Sequence, residues 1–112
     1  MDIEDIPAVP YFLVLLHPGP HRATAEPAWS AHVAFIESME ELDVVLLGGD
    51  FGSPVAGAEA AYLLHTSTRN EAETWAHKDP LVLQGYFVPE IIEWRLVGVT
   101  LGAIDPALTD PH

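Results

Sequence analysis

The sequence predicts an α+β fold of the ferredoxin-like βαββαβ type, a four-stranded antiparallel sheet with two helices on one face. Three observations predict it. Short apolar runs and helix-period stretches follow one another in the order strand, helix, strand, strand, helix, strand. Their lengths match: about 16 helical residues span about 24 Å and about seven strand residues about 23 Å, so each helix can return alongside its strand. A chain of 112 residues, 49% apolar and 19% charged, supports one globular domain with one core. Residues 1–112 are therefore read as a single domain, with its core at about 10–99, an acidic arm over 1–9 and a loose tail over 102–112.

The first strand is the apolar run at 11–17, ended by Pro18, Gly19 and Pro20. A loop of prolines and small residues leads to Pro27, which is tolerated in the first turn of a helix. From there Trp29, Val33, Ile36 and Met39 repeat with a 3.6-residue period, widened by Phe35 and Leu42. Glu37, Glu40 and Glu41 lie off the centre of that stripe. The helix is expected to end near 42–43. A second strand at 44–51 runs into a Gly-rich turn over 48–57, and a third strand covers 59–66. Thr68 and Glu71 have capping-box spacing and open a second helix over 69–78, which stops at Asp79 and Pro80. After a turn at Gln84 and Gly85, the fourth strand covers 90–99.

The first strand is apolar on both phases: Phe12, Val14 and Leu16 on one, Tyr11, Leu13 and Leu15 on the other. Two helices cover only one face of the sheet, so the other needs a lid. A second copy of the chain is the expected lid, making a homodimer with sheets face to face.

Charge narrows the function. Seventeen Asp and Glu against four Lys and Arg give a formal net charge of −13. Such a surface repels phosphate backbones and anionic lipid heads, so nucleic acid and membrane are not expected partners. Cysteine is absent, which removes disulfides and thiolate chemistry. The acidic start is the reverse of a secretory signal, and the expected location is cytoplasmic.

The topology gathers polar groups at one end of the sheet: His17, His21, His32, Asp50 and Asp79, with Tyr86 and Phe87 entering the fourth strand. His65 falls at the opposite end. His32 lies three residues after Trp29 and four before Ile36, on the apolar stripe; Asp79 lies three after Ala76 and four after Trp75. An imidazole oriented by a carboxylate is suited to general acid–base work near neutral pH. The bland alternative is that His32 bonds a backbone carbonyl and Asp79-Pro80 is ordinary helix-stop chemistry. His17, His21 and His32, with Asp79 or Asp50, are also a candidate metal set, although their spacing does not fix a coordination geometry. Gly48 and Gly49 are read as letting the chain pass close to a ligand or to the first helix, and Trp29 as a pocket wall beside His32.

The inward histidine, the Gly48-Gly49 pair ending the second strand, and the run Ala72-Glu73-Thr74-Trp75 leading to Asp79-Pro80 and Gly85 together resemble the YCII-related family. The resemblance covers about residues 10–99. It implies a dimeric α+β barrel built on ferredoxin-like subunits, a His–Asp pair carried onto His32 and Asp79, and no required cofactor. The family's best understood activity resembles elimination of chloride from a chlorinated hydroxyquinol. Two positions depart from the family pattern: Trp29 stands where an arginine is frequent, and Asp50 follows Gly49 where proline is common. Both changes disfavour an anionic substrate.

The expected function is a cofactor-independent lyase or isomerase acting on a small organic, cyclic or aromatic molecule. His32 and Asp79 are the catalytic pair, and His17, Trp29, Gly49, Asp50, Tyr86 and Phe87 are substrate contacts. The alternatives are a non-catalytic ligand-binding or partner-interaction module on the same fold, and a histidine-based metal site.

Overall fold

Strand β1 runs over Val9–Pro18, and two single-turn 3-10 helices at Arg22–Thr24 and Glu26–Ala28 lead from it into helix α1, Trp29–Glu41. These bounds come from a computed structural model of the chain, which describes residues 9–96. Strands β2 (Val45–Val55) and β3 (Ala58–Leu64) form a hairpin, helices α2 (Arg69–Ala76) and α3 (Pro80–Leu83) follow, and β4 covers Phe87–Leu96. The four strands make one antiparallel sheet in the order β2-β3-β1-β4. This is the ferredoxin-like arrangement expected from the sequence. The arm at 1–8, the end of the expected fourth strand at 97–99 and the tail at 102–112 lie outside the described residues. Among the described residues no helix is long and apolar enough to cross a membrane.

Residues paired across antiparallel strands share a face, so the register sorts the side chains. Phe12, Val14 and Leu16 pair with Leu64, Tyr62 and Ala60, and all six are buried beneath the helices. The opposite phase carries Leu13, Leu15, Ile92 and Trp94 on a face that no helix covers. Ile92 and Trp94 are exposed there.

Three details differ from the sequence expectation. The Gly-rich segment is mostly strand: β2 continues to Val55, and the turn is only Ala56 and Gly57, at φ of 50° and 86°. Left-handed angles at both central positions are those of a type I′ hairpin, whose twist suits the flanking strands. Second, α2 ends at Ala76, before the expected stop, and Asp79-Pro80 starts a further helix. The Asp79 side chain accepts from the Leu81 N–H, and Pro80 fills the first position of α3, where a missing N–H costs nothing. Third, β4 starts at Phe87, three residues early, because Phe87 pairs with Pro18.

The second helix begins as expected. The Thr68 hydroxyl accepts from the Glu71 N–H at 3.2 Å, while the Glu71 carboxylate reaches back to the Ser67 N–H rather than to that of Thr68.

Candidate functional site

A one-residue irregularity in β2 builds the cleft. Val45 pairs with Leu64, but Leu47 pairs with Leu63, so Leu46 is an extra residue in β2. A bulge of this kind reverses the phase of the strand beyond it. It turns Leu47 to the uncovered face and brings Gly48, paired with Tyr62, to the helix side. Asp50, paired with Ala60, follows on that same side. Glycine is required at 48, because a Cβ there would lie 2.9 Å from the Tyr62 Cβ. Small residues at 48 and 60 therefore leave space beneath α1. That space is a cleft of about 400 Å³ at the β2 edge, lined by Trp29, His32, Val33, Ile36, Glu37 and Glu40 of α1 together with Gly48, Gly49, Asp50, Ala60, Ala61 and Tyr62.

His32 and Asp79 meet at the back of this cleft. The His32 Nδ1 lies 2.9 Å and 3.0 Å from the two carboxylate oxygens of Asp79, which is 0% exposed. One of those oxygens also accepts from the Leu81 N–H at 2.9 Å. A carboxylate only accepts hydrogen bonds, so Nδ1 carries the proton and donates it. In the neutral ring Nε2 then holds a lone pair, with no protein partner among the described residues. Neighbouring rings fix the imidazole plane: Trp29 meets it edge-on with centroids 5.8 Å apart, and Tyr62 lies at 6.2 Å. Phe87 backs Trp29 at 5.5 Å.

Tyr62 is the residue that sequence reasoning missed. It is 1% exposed, and its hydroxyl lies by the Asp79 carboxylate without making a hydrogen bond of good geometry to any described residue. Burial, reinforced by the nearby Asp79 charge, pushes its phenol well above the ordinary tyrosine range. The group is a neutral hydroxyl at any physiological pH. The available signal was its place as the one polar-tipped residue on the inward phase of a strand otherwise carrying Ala58, Ala60 and Leu64. Val33, Glu37 and Glu40 were also read differently. Val33, placed on the buried stripe, is 51% exposed, and the two glutamates expected off that stripe line the cleft.

Of the six expected substrate contacts, Trp29, Gly49 and Asp50 line the cleft. His17, Tyr86 and Phe87 do not line it. His17 shares the uncovered face with Glu90, whose carboxylate it meets at 2.7 Å, because odd-numbered positions of β1 point away from the helices. The Tyr86 hydroxyl donates to Gln84, and Phe87 packs behind Trp29 as support. His21 lies over Gly85 in the turn before β4. His17, His21 and His32 thus do not converge, and among the described residues no group of three or more His, Asp or Glu side chains is arranged to hold a metal.

No family model matches the sequence, and no curated protein matches it. Among solved structures, the chain is similar to 5-chloro-2-hydroxyhydroquinone dehydrochlorinase (TftG) from Burkholderia phenoliruptrix AC1100, in complex with 2,5-dihydroxybenzoquinone. The two superpose with a TM-score of 0.61 at 17% identity, over 76% of this chain and 93% of that chain. The likeness shows a shared fold.

Proposed function

We propose that the cleft is the active site of a cofactor-independent enzyme acting on a small organic molecule, of the YCII-related type. His32 moves a proton in a lyase- or isomerase-type step, and Asp79 holds its ring. The observation that carries this reading is the bond from Nδ1 to a fully buried carboxylate, which leaves Nε2 as the base on the cleft side. The dehydrochlorinase activity in the name of the structural neighbour supports the same reaction class, as does its small ring ligand.

Proton transfer to carbon is readable before the natural substrate is known. Small cyclic ketones, lactones and hydroxyquinols are incubated with the protein in deuterated water, and deuterium uptake is followed by NMR. The wild type exchanges at least one class of carbon-bound hydrogen, and His32→Gln slows that exchange by about 10²- to 10⁴-fold. Equal exchange in the variant refutes the assignment. Saturable binding with no exchange by the wild type favours the ligand-binding module instead.

The same reading includes a homodimer. A second copy covers the face carrying Leu13, Leu15, Ile92 and Trp94, burying on the order of 800 Å² per partner. Sedimentation should show a dimer at micromolar concentration, and Trp94→Asp, which places a charge on that face, should yield a monomer. A monomeric wild type contradicts this part of the proposal.

A further inference from the structure

The side chains around the cleft are rich in hydrogen-bond acceptors and include no lysine or arginine. Glu37 and Glu40 project from α1 and Asp50 from β2, and all three are exposed at the cleft. The His32 Nε2 adds a fourth acceptor in the neutral ring. Among the lining side chains the one neutral hydroxyl is that of Tyr62, buried by the Asp79 carboxylate. No lysine or arginine lines this cleft, and His32 is its one protonatable nitrogen base. Arg22 is engaged by both oxygens of Glu59, Arg69 donates to the Ile91 carbonyl, and Lys78 lies 4.5 Å from the Trp75 ring centroid. A carboxylate or phosphate entering here meets three like charges and no lysine or arginine, with the His32 ring as its one basic neighbour. An ammonium meets acceptors, with the indole of Trp29 in the wall beside them.

We propose that the cleft takes a small organic cation, an aryl- or alkylammonium, and rejects carboxylates and phosphates of the same shape. This rests on the reading of the cleft as the substrate site and names the class of molecule that fits it. The carboxylates select the ligand by charge, and the wall formed by Trp29 and Ile36 accommodates its apolar part. The selection is local, over and above the overall negative charge of the molecule, because it depends on three named carboxylates at one opening.

Three probes of one shape test it: benzylamine, benzyl alcohol and benzoate, titrated into the 15N-labelled full chain while the amides of Gly48, Gly49 and Asp50 are followed. Benzylamine should bind at least about tenfold more tightly than benzoate, with the alcohol between them. Glu37→Gln, Glu40→Gln and Asp50→Asn combined should bring the amine and the acid within about threefold of each other. All three side chains are exposed, so the triple variant keeps the fold. Benzoate binding as tightly as the amine overturns the proposal. So does a preference that survives in the triple variant, or the failure of all three probes to shift those amides. Deuterium exchange that still depends on His32 in a benzoate-preferring cleft would retire the cation and leave proton transfer standing.

Discussion

The two halves of the helical layer are built to different standards. On one side Ala72 and Ala76 of α2 and Leu81 of α3 are each 0% exposed, and Asp79 sits among them equally buried. On the other side α1 buries only Met39 fully, while Val33 stands half in solvent over the cleft. The dense half holds the carboxylate, and the open half carries the imidazole and the space for a ligand. A buried, doubly bonded carboxylate cannot drift, so it fixes the histidine from behind. The loose packing of α1 against the β2 edge leaves the other side of the ring accessible.

The contrast can be sharpened by substitution, beginning in the dense half. Asp79→Ala removes the cap of α3 and the partner of His32 together, and should cost about 2–4 kcal/mol in denaturant unfolding. A loss under about 1 kcal/mol would mean that the dense half does not depend on this group. Tyr62→Phe lies where the halves meet and should change stability at neutral pH by less than about 1 kcal/mol, since the hydroxyl it removes makes no hydrogen bond of good geometry to any described residue. Its effect appears in alkali. The folded phenol resists ionisation while the unfolded one ionises near pH 10, so the folded state binds the extra proton. That contribution is complete below about pH 10 and is lost above it, by about 1.4 kcal/mol per pH unit, and the phenylalanine variant should lack that part of the decline. The smallest effect belongs to the open half: Val33→Ala should alter stability by about 0.5 kcal/mol or less. A cost comparable with that of Asp79→Ala would erase the contrast.

The topology and the His32–Asp79 encounter were legible because they follow from element order and from the phase of two polar residues on apolar faces. What was not legible turns on shifts of a single residue and on functions that share a sequence pattern. The bulge at Leu46 leaves no mark in the run Val44-Val45-Leu46-Leu47-Gly48-Gly49, where every position tolerates either face. Without it Leu47, and not Gly48, would lie under α1. An apolar stripe facing a cleft reads the same as one facing a core, which is why Val33 was placed inside. Asp-Pro reads as a helix stop, whereas α2 has already ended at Ala76 and the same two residues cap and open α3. His17 was drawn into the expected contacts because it shares an end of the sheet with His32, although strand phase puts it on the other face.

The central claim is that Asp79 holds His32 with Nδ1 protonated and leaves Nε2 bare toward the cleft. Long-range 1H–15N correlation spectra of the histidine rings, recorded where the imidazole is neutral, read this directly. The expected His32 signal pair has the proton on Nδ1 and an unprotonated Nε2, with a weakened preference in Asp79→Asn. A wild-type spectrum with the proton on Nε2 would contradict it.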